Sequence, residues 1–225
     1  MSELNLYGDE KISTTGNHGA DIAAQRLDEL DKKSLEHLLS IHENTPVCAD
    51  VGCGAGTQGF RFALLGAKIH LYDILDITKP AEKFISLFPN CHIATHVGDV
   101  RQTSDKPHDE KFDIIYSQRT LHYLPFSHAV EVLKSFGART RDGGKCFISL
   151  SGINSELGEG YAVRSDPLKK RFGKLAVSMS EKHEIKEPVC LYDVNEMKIL
   201  AELSGFKVEE AWASSFGNIK AILVK

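Results

Sequence analysis

The run Asp50-Val51-Gly52-Cys53-Gly54-Ala55-Gly56-Thr57-Gln58-Gly59 decides how this chain reads. Together with Val47-Cys48-Ala49 before it, Asp50-Val51 makes a short apolar segment cut off by glycines, as a buried parallel strand is. Residues 59–65 then continue as a helix. The glycines let the backbone turn sharply and come close to a ligand without a Cβ collision. A helix amino terminus offers unpaired N–H groups at the same place. The last six residues also fit G-x-G-x-x-G, a dinucleotide-binding pattern that is weak when it stands alone.

Working outward, apolar runs at 68–72, 92–97, 112–117, 145–150, 206–213 and 219–224 read as further strands. Residues 20–41 read as helix in two segments, with Ala23, Leu27 and Leu30 before Asp31-Lys32-Lys33 and Leu35, Leu38 and Leu39 after it. Thr78 is expected to cap a helix with Pro80 in its first turn, ending near Phe88-Pro89. Residues 127–138 form another helix, and Asp142-Gly143-Gly144 a turn into the fifth strand. Asp193 with Glu196 makes an acidic capping box for a helix that stops at Gly205. Strands alternating with helices predict an α/β fold with a doubly wound, mostly parallel sheet of seven strands. Too few residues join the last two strands for a crossover helix, so they form an antiparallel C-terminal hairpin. No linker or low-complexity run divides the 225 residues. We expect a single domain, with 1–19 an N-terminal lid or tail, 20–150 a ligand-binding core, 151–191 an insertion or cover, and 192–225 the closing helix and strands.

The net charge of −4, with both signs interspersed, argues against a protein that grips nucleic acid non-specifically. It leaves open an RNA or protein held by a local basic patch. No signal-peptide core and no run of ~20 apolar residues is present, which leads us to expect a cytoplasmic protein without a membrane partner. The five cysteines form no Cys-x-x-Cys pair and read as buried free thiols rather than a metal or redox site.

Three acids accompany the glycine loop. Asp50 precedes the glycines, where a carboxylate suits a cationic amino group better than a pyrophosphate. Asp73 closes the second strand, where ribose hydroxyls would lie, and Asp99 follows the third, where adenine's amino group would. All sit at carboxyl ends of successive strands, where open α/β sheets bind ligands. The run 47–59 resembles motif I of the class I S-adenosylmethionine-dependent methyltransferases, with D-x-G-x-G-x-G present as Asp50, Gly52, Gly54 and Gly56. Tyr72-Asp73 and Gly98-Asp99 are similar to that family's acidic strand ends. Residues 112–117 resemble motif IV, Leu121-His122-Tyr123-Leu124 the L-H-x-L stretch of small-molecule members, and Asp142-Gly143-Gly144 its Gly-Gly turn.

The resemblance implies S-adenosyl-L-methionine as cofactor. Asp50 and Gly52 would face its methionine part, Asp73 would hold the ribose, Asp99 with Val100 the adenine, and Ser117 and Gln118 would face the transferred methyl, with Cys53, Gly54, Gly56 and Ile74 completing the cofactor-binding set. Methyl transfer from a sulfonium is an in-line displacement, so the protein mainly orients the reactants, and a base is needed only for a protonated acceptor. His122 is the candidate base, since imidazole titrates near neutrality; lining the pocket is its alternative. Arg119, Tyr161 and Arg164 are candidates for holding the substrate. The fourth strand ends Tyr116-Ser117-Gln118-Arg119, without the Asn-Pro-Pro-Tyr or Pro-Cys segments of base-modifying enzymes, and no Asp-Asp-Asn set marks a magnesium site. We therefore expect metal-independent O-, N- or S-methylation of a small-molecule acceptor. A tRNA or protein substrate, a non-catalytic cofactor-binding protein and a nicotinamide oxidoreductase are the rivals. Residues 7–18 suit a lid or a tail. The stretch 151–191, with Tyr161, Arg164, Lys169, Lys170, Arg171 and Lys174, reads either as a helix with a solvated basic face or as a cover over the pocket.

Overall fold

The computed structural model describes residues 18–19, 26–42, 44–103 and 110–225. Its elements in chain order are α1 (Glu29–Leu39), β1 (Val47–Val51), α2 (Thr57–Leu64), β2 (Lys68–Asp73), α3 (Thr78–Leu87), β3 (His92–Val97), α4 (Val100–Thr103), β4 (Phe112–Gln118), α5 (Phe126–Arg139), β5 (Thr140–Leu150), α6 (Val177–His183), α7 (Val194–Leu203), β6 (Lys207–Ala213) and β7 (Ile219–Val224). The strands make one seven-stranded sheet in the order β3-β2-β1-β4-β5-β7-β6. The first five are parallel, and β7 enters antiparallel between β5 and β6. The doubly wound sheet and the closing hairpin are as the spacing predicts.

β1 is buried at every position because both faces of the sheet are covered. On one face Leu30, Phe62, Ile69, Ile114 and Phe147 pack beneath α1 and α2. On the other, Leu133, Phe136, Met197, Leu200 and Ile148 pack beneath α5 and α7. Each such side chain contributes about 1.5–3 kcal/mol by leaving water. The two layers fix the parallel strands so that their carboxyl ends lie along one edge. Leu150, which ends β5, pairs with Ile219, which begins β7, so the hairpin 214–218 reaches that same edge.

Three local expectations need correction. α1 is one helix: Asp31 does not interrupt it, because its carboxylate accepts from the Asp28 amide at 2.7 Å and closes a capping box with Asp28. The earlier part of that expectation, 20–25, lies outside the described residues, as does the segment 7–17. Thr78 is the first residue of α3 rather than its cap, and Asp76 accepts from the Thr78 amide instead. Asp142-Gly143-Gly144 is no free turn but a bulge inside β5, where pairing slips from Phe112↔Thr140 to Ile114↔Lys145.

The stretch 151–191 holds no long basic helix. It carries two single 3-10 turns and the seven-residue α6, folded around its own apolar cluster of Ile153, Leu157, Tyr161, Leu175, Ile185, Val189 and Leu191. Its two arginines, Arg164 and Arg171, are drawn into internal bonds, while Lys169, Lys170 and Lys174 are exposed. Arg171 sits against both carboxylate oxygens of Glu196 at 2.7 Å, and that same carboxylate caps α7.

Candidate active site

A cavity of about 1170 Å³ opens at the carboxyl edge of the sheet, spanning the reversal of strand order between β1 and β4. That is the switch point at which open α/β sheets take ligands. Its volume exceeds the ~300–1,000 Å³ of a pocket for one small molecule. One half is walled by the loops after β1, β2 and β3, the other by those after β4 and β5, by 182–185 and by the hairpin 214–218.

In the first half the glycine loop is tightly fixed. The Gly52 amide donates to the Tyr72 carbonyl at 2.8 Å, and the Gly54 amide to an Asp73 oxygen at 2.8 Å. The other Asp73 oxygen accepts from Leu75 at 2.9 Å, leaving lone pairs on both for a ligand's hydroxyls. Gly52 has φ +69°, and a Cβ there would lie 1.9 Å from the Thr120 hydroxyl, so only glycine lets β1 and the β4 loop approach so closely. Asp50 is 3 % exposed and accepts from the Gly59 amide at 2.9 Å. It thereby caps α2, whose own N-cap, Gly56, has no side chain to do so. A carboxylate thus stands at the helix terminus that a dinucleotide's pyrophosphate would need, and like charges repel there. Asp99 is gripped by Arg101, which holds its carboxyl below the usual range.

Of the residues singled out from sequence, Asp50, Gly52, Cys53, Gly54, Asp73 and Ile74 line the cavity, as do Asp99, Val100, Gln118, Arg119 and His122. Gly56 does not; at φ +77° it makes the turn into α2. Three others are corrected. Ser117 is fully buried, donating to the Val51 carbonyl at 2.9 Å, and so ties β4 to β1. Tyr161 is buried in the 151–191 cluster with its hydroxyl on the Val189 carbonyl at 2.6 Å. Arg164 braces the same segment through the carbonyls of Ile153 and Gly158 and the side chain of Asn154. Neither faces the cavity.

His122 lines the cavity at 1 % exposure, and neither ring nitrogen has a hydrogen-bond partner among the described residues. Burial first, then the nearby Arg119 and His18 charges, push its pKa down to about 3. Burial thus disfavours the charged form of this imidazole, unlike the group titrating near neutrality that the sequence led us to expect.

Sequence reasoning missed several wall residues. Asp28 accepts from Gln118 at 2.8 Å and pairs with the buried Lys220 at 2.7 Å. Asp31 takes a short hydrogen bond from the Tyr116 hydroxyl, and burial, with Asp28 beside it, raises its pKa. The D-x-x-D capping pattern at 28–31 was the available signal. Thr120, Ser151 and 214–218 gave none, because only the strand order brings them together.

The family model described as a methyltransferase domain matches residues 22–211, and the chain belongs to that family. Its fold is that of the class I S-adenosylmethionine-dependent methyltransferases. A 1,6-didemethyltoxoflavin-N1-methyltransferase from Burkholderia thailandensis, solved with 1,6-didemethyltoxoflavin and S-adenosylhomocysteine, is similar with a TM-score of 0.65 at 16% identity over 91% of this chain and 79% of its own. An S-adenosylmethionine-dependent methyltransferase from Clostridium acetobutylicum gives 0.68 at 10%, covering 91% and 94%. The magnesium protoporphyrin IX methyltransferase of Synechocystis PCC 6803, solved with S-adenosylhomocysteine, gives 0.62 at 13%, covering 96% and 89%. No curated protein matches the sequence. Among the described residues no His, Cys, Asp or Glu cluster could hold a metal ion, and no helix is long and apolar enough to cross a membrane.

Proposed function

We propose that this protein binds S-adenosyl-L-methionine in the half of the cavity under β1–β3 and transfers its methyl group to a small molecule held in the other half. The observation that carries the reading is the joint placement of Asp50, Gly54, Asp73 and Asp99 at three successive strand ends on one cavity too large for a single ligand. The fit is to a ligand with a cationic end. Asp50 supplies the carboxylate beside the glycine loop for that end, while along the neighbouring wall Asp28 is paired with Lys220 and Asp31 with Arg61. Gly52 and Gly54 leave the loop free of side chains where the ligand would lie, and Asp73 keeps acceptor capacity for hydroxyls.

When bound, the cofactor supplies an already activated methyl group. This chain's residues would orient the partners and exclude water. Gln118, fixed by Asp28, projects at the end of β4 between the two halves. His122 serves as a neutral hydrogen-bonding wall. Similar folds whose names give small-molecule substrates, such as 1,6-didemethyltoxoflavin and magnesium protoporphyrin IX, support a small acceptor. In 151–191, Arg164 and Arg171 are spent on internal bonds while Lys169, Lys170 and Lys174 are exposed, so a macromolecular acceptor is the second reading that the test below separates. We read the chain as one catalytic domain with 151–191 as its cover, working without a metal in the cytoplasm.

Formation of S-adenosylhomocysteine during incubation with S-adenosylmethionine and panels of small hydroxyl, amine and thiol compounds, bulk tRNA and protein extract tests this. Turnover confined to a small-molecule panel is expected. Turnover only with tRNA or protein would move the assignment to a macromolecular acceptor, and cofactor binding without turnover anywhere would make it a binding protein.

A further inference from the structure

Resting on that reading, we propose that the acceptor half is built for an organic anion, a carboxylate or phosphate ester gripped by the guanidinium of Arg119. Arg119 directly follows β4 and has φ +53°, one of two non-glycine residues in the left-handed region among the described residues. Such strain, of order 1–3 kcal/mol, persists where surrounding structure over-determines it and clusters at ligand clamps. Here the Arg119 amide donates to the Ser149 carbonyl at 2.8 Å, which pins the backbone while the side chain lines the cavity.

No carboxylate among the described residues pairs with this guanidinium. The other arginines there mostly have one: Arg61 with Asp31, Arg101 with Asp99, Arg141 with Asp113 and Arg171 with Glu196. In the half beyond β4 the acid among the described wall residues is Glu156, and it is held by Lys182 and His183. With Arg119 the local balance is positive. A planar, always-charged guanidinium matches the two oxygens of a carboxylate or phosphate.

A second observation points to the same space. His122 and Ser151 line the cavity while the imidazole nitrogens and the Ser151 hydroxyl are buried without partners. Unsatisfied buried groups cost about 1–3 kcal/mol each, and a ligand's oxygens would satisfy them. Leu157 and Ile185, both buried, give the same half apolar walls, so the anion carries an apolar body.

The test is calorimetric titration with benzoate, phenyl phosphate and neutral benzyl alcohol, followed to millimolar affinity, on the protein alone and saturated with S-adenosylhomocysteine. Arg119→Asn is the first variant, since asparagine tolerates left-handed backbone and should not disturb folding; Arg119→Lys keeps the charge without the fork. At least one anion should bind tenfold or more tighter than the alcohol, and tenfold weaker in Arg119→Asn, with Arg119→Lys between. The variants should bind S-adenosylhomocysteine within twofold of the parent. Preference for benzoate or for phenyl phosphate would name the oxyanion. Anions binding no tighter than the alcohol, or equally well to Arg119→Asn, would overturn the proposal. So would loss of S-adenosylhomocysteine binding in Arg119→Asn, which would assign the guanidinium to the cofactor's carboxylate. A parent protein that binds no S-adenosylhomocysteine contradicts the methyltransferase reading instead, and the anion series on the protein alone still decides this one.

Discussion

At the residue scale, the site depends on a few atoms that do two tasks each. Asp73 fixes the glycine loop through the Gly54 amide and retains lone pairs for hydroxyls. Hydrogen bonds to a charged group are worth about 1.5–3 kcal/mol, so Asp73→Ala is expected to weaken S-adenosylhomocysteine roughly tenfold to a hundredfold by calorimetry, with Asp73→Asn in between. Gly52→Ala would drive a methyl group into Thr120 on a backbone with φ +69°. We expect it to lose about 2–4 kcal/mol in urea unfolding, and more than Thr120→Ala does. His122 gives a pH dependence whose sign can be worked out. Its folded pKa of about 3 lies below its ordinary value of 6.5, so between those values the unfolded chain binds the extra proton. Stability is therefore full above pH ~6.5 and falls as pH drops toward 3, by up to about 1.4 kcal/mol per pH unit for this group. His37, His70 and His183, also lowered by burial, act in the same direction. His122→Leu should make the loss of stability between pH 7 and 5 shallower; an unchanged slope would show that His122 is not the buried neutral group described.

At the scale of elements, what was legible and what was not divides along physical lines. Strands β1 and β7 run as the apolar segments predict, because a strand buried on both faces needs nothing but its own side chains to declare itself, and the edge strand β3, with no buried position, also keeps its predicted bounds. The α7 cap at Asp193 and Glu196 was equally local. Hidden from sequence was whatever depends on a distant partner. Asp31 looked like a helix break and is a helix cap, and Ser117 looked like a methyl-facing residue and is a brace to Val51. In 151–191 the basic residues suggested a solvated helix, yet Arg171 is committed to Glu196 across the start of α7. Both side chains are largely buried, and breaking such a pair strands a charge. Arg171→Leu is expected to cost about 3 kcal/mol, read as a lowered Tm, while Lys169→Ala, on an exposed residue, should change it little.

At the scale of the whole molecule, sheet order converts scattered residues into one site. Strand ends that are 20 or more positions apart in sequence become neighbours along one edge, and the hairpin between β6 and β7 closes the far side of the cavity. The central claim is that the half under β1–β3 takes S-adenosylmethionine rather than a dinucleotide, since Asp50 caps α2 where a pyrophosphate would bind. Calorimetric titration with S-adenosylhomocysteine, NADH and NADPH tests it most directly. The account predicts micromolar binding of S-adenosylhomocysteine, lost in Asp50→Ala and weakened in Asp73→Ala, with no heat from either nicotinamide nucleotide. Tight binding of NADH or NADPH with none of S-adenosylhomocysteine would contradict it.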